Sequence, residues 1–195
     1  GKKESGIFCS MGTPGSPKPV RFFVSIIYQE NGLMPEMEKK LISFFGKILS
    51  RTVPVPFLHT GYYEKEMGSS LLRYFLLFKP LRAREELPFI KLKTNEFEAS
   101  TSAEGKRTIN IDPGYITLEQ VILATTKGYT HRVYLGAGIF ADLTLTFTNG
   151  TFKALPWTYP DYGSPEMISL LNQWRNEYKK DLRGESLYEE WPHLK

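Results

Sequence analysis

The chain has 195 residues, 41% of them hydrophobic and 24% charged, which suits one domain with a real core and excludes a disordered or fibrous chain. Its formal net charge is +4, half of it from Lys2, Lys3, Lys18 and Glu4, so the rest of the chain lacks the concentrated basic face of a nucleic-acid protein. No apolar run approaches the roughly 20 residues that cross a bilayer, no secretory signal is seen, and the single cysteine, Cys9, excludes an internal disulfide; a soluble protein of the reducing cytoplasm is expected.

Residues 1–19, rich in Gly, Pro, Ser and Lys, are expected as a flexible tail, in part foreign to the native chain, with Met11 a candidate native start. The run from Gly12 to Lys18 has the composition of a phosphate loop but not its order: Gly15 is not followed by Lys, and Pro17 and Pro19 block the helix that must follow. Gly105-Lys106-Arg107-Thr108 fails as well, because Ser100 stands where the first glycine should be.

Val20 to Gln29 is apolar on both faces and predicts a central strand. Pro35 opens a helix with Met37, Leu41, Phe44, Phe45 and Ile48 at helical spacing and Gly46 as its stop. A second strand, Ile48 to Val55, is broken by Pro54 and Pro56 and should lie at an edge. After a loop at 59–68, Leu71 to Lys79 predicts a second central strand, and Pro88 opens a helix to about Ser100 with Ile90, Thr94 and Phe97 inward. Arg107 to Asp112 alternates, with Ile109 and Ile111 on one face. This β-α-β-β-α-β order is that of the ferredoxin-like fold, with first and third strands central.

Asp112-Pro113-Gly114-Tyr115 reads as a type II turn. A helix then follows over 117–128: Thr117 and Gln120 make a capping box, Ile116 and Val121 a staple, Gly128 the stop, and Leu118, Val121, Ile122 and Thr125 the inward stripe. His131 to Gly136 is a short strand. Ile139 to Thr148 alternates, with Ile139, Ala141, Leu143, Leu145 and Phe147 inward and Asp142, Thr144, Thr146 and Thr148 outward. Asn149-Gly150 predicts a hairpin turn that pairs Phe147 with Phe152 and Leu145 with Ala154. Pro156 to Tyr162 is a stiff aromatic loop, and Ser164-Pro165 caps a last helix with Ile168, Leu171, Trp174 and Tyr178 inward. The whole predicts a single α+β domain over 20–182: a ferredoxin-like βαββαβ core extended by a helix, a β-hairpin and a C-terminal helix. An arm over 183–195 carries Leu187, Tyr188 and Trp191.

Three segments carry a resemblance. Tyr62 to Gly68, Asn110 to Asp142 and Leu155 to Tyr162 together resemble a prokaryotic family, domain of unknown function 4416, over roughly residues 18–180. Its members are often labelled GTP-binding proteins. The resemblance implies membership and no particular reaction. Beside it stands the absence of a Walker A loop and of an Asn-Lys-x-Asp guanine motif; the nearest string, Thr125-Thr126-Lys127-Gly128, lacks the Asp.

Candidate chemistry gathers around 110–132. Asn110 and Asp112 stand at a strand end, where a carboxylate can bind a ligand hydroxyl or act as a base, or else accept turn N–H groups. Lys127, His131 and Arg132 bracket a glycine and can hold a phosphate or carboxylate, or else Lys127 caps the helix and Arg132 pairs with Asp112 or Asp142. Asp112 and His131 are the catalytic candidates, as an acid–base pair on adjacent strands. Tyr62, Tyr63, Glu64 and Glu66 can wall a pocket or simply pack; Trp157, Tyr159, Asp161 and Tyr162 can stack a base or sugar or cover the core. Glu119 is expected only to complement the helix dipole. His59, His131 and His193 show no metal-ligand spacing, so no metal site is expected, and no cofactor is specified. Two functions fit. One is a protein, enzyme or not, that binds a small anionic or nucleotide-like ligand in a cleft made by 62–66, 110–115, 127–132 and 157–161. The other is a non-catalytic RNA- or protein-binding module; against RNA, neither Leu71–Lys79 nor Arg107–Asp112 carries the aromatic and basic pattern that stacks bases.

Overall fold

Strand β1, Val20–Gln29, is buried along nearly its whole length, and the sheet is built outward from it. The computed structural model describes residues 12–30, 32–58, 63, 67–102 and 105–184. On one side β1 pairs with β4, Leu71–Arg82; on the other it pairs with β5, Ile109–Ile116. Beyond β4 lie β2, Ile48–Arg51, and the short β3, Val55–Pro56. Beyond β5 come β6, Gln120–Thr125, then β8, Ile139–Thr148, which also carries β7, Arg132–Gly136, and β9, Thr151–Ala154. All these pairings are antiparallel. Packed on the sheet are the helices α1, Met34–Phe45, α2, Leu87–Ser100, which a 3-10 turn at Arg84–Glu86 leads into, and α3, Pro165–Arg183. The protein is thus a mixed α/β structure with one large antiparallel sheet.

The strand period of two separates two cores. Phe22, Val24 and Ile26 of β1 and Ile109 and Ile111 of β5 face α1 and α2, against Met37, Leu41, Phe45, Leu87 and Ile90. Phe23, Leu77, Ile116, Val121, Leu145 and Phe152 face the opposite way, under Met167, Leu171 and Trp174 of α3. Each such side chain contributes about 1.5–3 kcal/mol through burial. The proline-broken segment 48–56 lies at the sheet edge, as Pro54 and Pro56 require. Ser164 caps α3, its Oγ accepting the Met167 N–H at 3.2 Å.

The helix expected over 117–128 is a hairpin instead. β5 continues through Pro113 and Gly114 to Ile116, and the chain returns as β6. The Thr117 N–H donates to the Gln120 carbonyl at 2.9 Å, and Thr117 Oγ1 accepts the N–H groups of Glu119 (3.1 Å) and Gln120 (2.9 Å). The residues read as a capping box therefore close a turn, because a threonine hydroxyl serves N–H groups two and three residues on in either setting. The run Val121-Ile122-Leu123-Ala124 then alternates between the two cores, Val121 and Leu123 toward α3, Ile122 and Ala124 toward α1 and α2. Glu119, at the turn, does not sit on a helix dipole; its carbonyl accepts the Phe147 N–H at 2.7 Å.

The expected type II turn at 112–115 is likewise absent, since Asp112, Pro113 and Gly114 pair with Ser25, Val24 and Phe23 of β1. Pro113 has no N–H to give, and none is asked of it: like Ile111 it directs its nitrogen away from β1, and β6 pairs with β5 only at 114–116. Gly114 is required for close approach. A Cβ there would meet the Ile122 carbonyl oxygen at 2.6 Å and the Phe23 ring at 2.9 Å.

Asn149 and Gly150 both have positive φ, 52° and 81°, and the expected pairs Phe147–Phe152 and Leu145–Ala154 form. Asp142 and Thr144, expected outward, are buried, because the loop 155–163 folds back over that face of β8. Thr158 Oγ1 donates to the Thr144 carbonyl at 2.5 Å, and Trp157 Nε1 to that of Leu143 at 2.7 Å. Cys9, His59, Tyr62, Glu64, Glu66, His193 and the arm from residue 185 onward lie outside the described residues. No described helix is long and apolar enough to cross a membrane.

Candidate functional site

β1 and β4 turn the polar side chains Ser25 and Arg73 toward the α3 face, and both are buried; Arg21, further along the same face of β1, is buried too and pairs with Asp181 of α3. Arg73 donates from Nε to Ser25 Oγ at 2.9 Å and from Nη1 to Asp161, in the loop that follows β9. Its guanidinium carbon lies 4.6 Å from the Phe75 ring centre, 5.2 Å from that of Tyr162 and 5.4 Å from that of Phe57. Burial works against its charge, but Tyr162, Asp161 and Asp112 around it outweigh burial and hold its pKa above the ordinary arginine value. The Tyr162 hydroxyl is buried with no acceptor for its proton; burial pushes its pKa up in spite of the Arg73 guanidinium it faces.

Next to this, on β5, Asp112 Oδ1 accepts from Lys91 Nζ at 3.0 Å and Oδ2 from Asn110 Nδ2 at 2.7 Å. Lys91 belongs to α2, beneath the other face, and reaches Asp112 past the side of β5 that β6 leaves open. Arg107 bridges Asn110 Oδ1 (2.9 Å) and Glu98 Oε2 (3.3 Å), and Glu98 Oε1 accepts the Ile111 N–H at 2.7 Å. Burial raises the pKa of Glu98 in spite of Lys91, the Ile111 N–H and Arg107. For Asp112 burial acts the same way, but Lys91, Asn110 and Arg73 prevail and hold its carboxyl below the usual range. An aspartate so held stays ionised at neutral pH and suits binding a hydroxyl or ordering cations better than taking up protons. Tyr63, half-buried, packs edge-on against Phe57, and burial together with Asp112 raises its phenol.

A second group forms on β8. Asp142 Oδ2 accepts from Arg132 Nε at 2.8 Å and lies 3.1 Å from His131 Nε2, while Thr144 Oγ1 donates to its Oδ1 at 3.2 Å. His131 stacks on Trp157, centroids 4.9 Å apart and planes 13° from parallel. Arg132 also donates to the Tyr159 hydroxyl at 3.4 Å and to the Lys127 carbonyl at 3.0 Å; the Lys127 side chain is exposed.

The structure thus sets Asn110 and Asp112 on Lys91 and Asp161 on Arg73, whose charge also acts on Asp112, and gathers His131, Arg132, Trp157 and Tyr159 around Asp142. The loop 155–163 reaches both groups. Asp112 and His131 have separate partners, and their strands are not neighbours, since β6 and β8 stand between β5 and β7. The sequence reading missed Ser25, Arg73, Lys91 and Glu98, whereas Asp142 was named as a possible partner of Arg132 and is one. Signals existed: Ser25 and Arg73 are polar residues inside runs apolar on both faces. Lys91, Thr94 and Glu98 also share one helical stripe that a mostly apolar inner face would not contain. An open groove of about 650 Å³ between β2 and α3, lined by Leu49, Leu77, Trp174, Glu177 and Lys180, holds none of the sequence-predicted site residues. Among the described residues no three of His, Cys, Asp and Glu gather as metal ligands.

Fold and site together define a mixed α/β protein whose single antiparallel sheet carries, on the face toward α3, an array of buried ion pairs fed from both layers. The family described as Domain of unknown function (DUF4416) matches residues 18–178, and the chain belongs to that family. No curated protein and no solved structure matches the chain.

Proposed function

We propose that this protein binds a small anionic or nucleotide-like molecule on the α3 face of the sheet, as an enzyme or as a binding protein without chemistry. The observation that supports this most is Arg73. It is a buried cation caged by Phe57, Phe75 and Tyr162, flanked by Asp112 and Asp161, and it has more N–H donors than its bonds to Ser25 and Asp161 use. Asn110 and Asp112 form one wall in this reading, with Tyr63 beside them. Lys127, His131, Arg132, Trp157 and Tyr159 form a rim, where the stacked Trp157 and His131 offer an aromatic surface to a base or sugar. Residues 20–116 are read as a ferredoxin-like unit, which the order β2-β4-β1-β5 supports. A cytoplasmic setting is part of the same reading, supported by the single cysteine.

A thermal-shift screen against nucleotides, phosphorylated metabolites, small carboxylates and divalent metals tests it, with GTP and magnesium as one arm. A ligand at about 100 times its dissociation constant adds roughly 2.7 kcal/mol, a rise of several degrees in Tm. Stabilisation by a member of one anionic class, weakened in Tyr162→Phe, is expected. Silence across every anionic class, with retention of an RNA or a protein partner instead, would overturn the reading in favour of a binding module.

A further inference from the structure

We infer that Arg73 is an oxyanion seat and that Asp161 is its resident occupant: a phosphate or carboxylate group of a ligand binds by taking the place of the Asp161 carboxylate. This rests on the small-ligand reading above and says which atoms carry it.

The two carboxylates beside Arg73 are held in different ways. Asp112 has its own cation and its own amide, Lys91 and Asn110, and both its oxygens are engaged. Asp161 has Arg73 as its one ion-pair partner among the described residues; its other oxygen accepts only the N–H of the next residue, Tyr162, at 2.9 Å. Asp161 lies on a loop whose backbone is anchored elsewhere, at Trp157, Thr158 and the turn that returns the Tyr162 and Gly163 N–H groups to the Tyr159 carbonyl. A rotation of the Asp161 side chain therefore vacates Arg73 without unfolding the loop. Asp161 is also the more accessible side chain of the pair, 21% exposed against 9% for Arg73, so the opening faces solvent.

What the departing carboxylate leaves behind fits an oxyanion. Arg73 offers a fixed, planar set of donors, held by Ser25 at Nε and by ring contacts on its faces. The Tyr162 hydroxyl beside it is buried against the guanidinium, which can only donate, so its proton has no acceptor, although a buried hydroxyl normally finds one. An anion with several oxygens can accept from Arg73 and from that hydroxyl together, which a single aspartate does not do here. The charge count is compatible: a carboxylate ligand leaves the charge of the array unchanged and a phosphate adds at most about one negative charge, so in neither case is Arg73 stranded without an anion.

The test is a titration of inorganic phosphate, and in parallel of acetate, into the full chain and into Asp161→Asn, followed by calorimetry. Removing the competing carboxylate is expected to tighten binding of at least one of the two anions roughly ten- to hundredfold, the range of one charge-assisted hydrogen bond. Adding Tyr162→Phe to Asp161→Asn is expected to take back part of that gain. Because Asp161→Asn could fail to fold, the wild-type chain is also followed by NMR at the Arg73 Nε–H, whose resonance is expected to move with phosphate in step with Asp161. Equal affinity of wild type and Asp161→Asn for both anions overturns the inference, as does an Arg73 resonance unmoved at saturating anion. If a metabolite from the screen binds while neither Asp161→Asn nor Arg73 responds, this inference fails and the small-ligand reading stands. An Asp161→Asn protein that gains phosphate affinity while no metabolite binds keeps the seat and removes the reading.

Discussion

Glu98 accepts the backbone N–H of Ile111 at 2.7 Å and so does, from a helix, what a neighbouring strand does elsewhere in the sheet. β6 pairs with β5 only at Gly114–Ile116, and below that point the outer edge of β5 is unpaired by strands. A buried N–H without a partner costs about 1–3 kcal/mol. Glu98→Ala is therefore expected to lower stability by about that amount and to speed hydrogen exchange at Ile111, whereas Glu98→Gln, which keeps a carbonyl oxygen for the bond, costs less. The pH dependence separates them further. Burial raises the folded-state pKa of Glu98, so its contribution favours the folded state below the unfolded carboxyl value and is lost as pH rises through the folded one. Urea melts across pH 4 to 7 should show this slope in the wild type and not in Glu98→Gln.

Asp112 has the opposite sign. Its folded pKa is depressed, because Lys91, Asn110 and Arg73 outweigh burial. Its stabilisation is present above the unfolded aspartate value, about 3.9, and is lost as pH falls through the lower folded value. Asp112→Asn leaves Lys91, only 8% exposed, without its carboxylate. A loss of about 1–3 kcal/mol at pH 7 is expected, modest for a buried pair because Asp112 itself is a third exposed. The gap between wild type and variant should narrow steadily on acidification below pH 4, and a gap independent of pH would assign the effect to packing instead.

These residues also mark how far the fold and the array could be read in advance. β1 and β4 were legible because burial on both faces leaves an apolar run, and the 149–150 turn because Asn-Gly suits the two positive φ values there. The hairpin at 117–120 was not. Thr117 satisfies the same N–H groups in a capping box as in a turn, and what decides between them is the presence of β8 beside β6, a partner distant in the chain. The array was hidden for a related reason. Lys91 and Glu98 look like ordinary helix-surface charges until one knows that β6 departs from β5 and opens a gap for them. Asp142 reads as an outward residue until the loop at 155–163 covers it. Asp112 and Asp161 were named from their loops and strand ends, but Arg73, which pairs with Asp161 and whose charge acts on Asp112, becomes meaningful only once β4 is known to lie next to β1.

Gly114 gives a sharper steric prediction. It sits where β5, β6 and β1 come together, and an added Cβ would lie 2.6 Å from the Ile122 carbonyl oxygen, 2.7 Å from Leu123 Cδ2 and 2.9 Å from the Phe23 ring. Leu123 can turn, but the carbonyl belongs to the backbone of β6 and cannot move without breaking the hairpin. Gly114→Ala is expected to cost about 2–3 kcal/mol, at the upper end of overpacking changes. Gly105→Ala, where a Cβ meets nothing within 4 Å but φ is +76°, is expected to cost less, about 1 kcal/mol from backbone strain alone. Equal costs in thermal denaturation would show that the close approach at 114 can relax.

The last prediction concerns the group on β8. Asp142 is the common acceptor for Arg132 Nε and Thr144 Oγ1, and His131 Nε2 lies against the same carboxylate. Arg132 and His131 are each only about a tenth exposed, so removing the carboxylate leaves a buried guanidinium with no anion. Asp142→Ala is expected to cost about 3–5 kcal/mol for that reason. Asp142→Asn keeps an acceptor without the charge and should lose less. The optical readout locates the damage. Trp157 stacks on His131 and donates its indole N–H to Leu143, so it reports on whether the loop still lies on β8. In Asp142→Ala, under conditions where the protein remains folded by circular dichroism, Trp157 emission should shift to the red, and the shift should vanish when Trp157→Phe is added. If stability falls but the emission stays put, Asp142 holds only the start of β7, and the loop is held by Thr158 and by the Arg73–Asp161 pair instead.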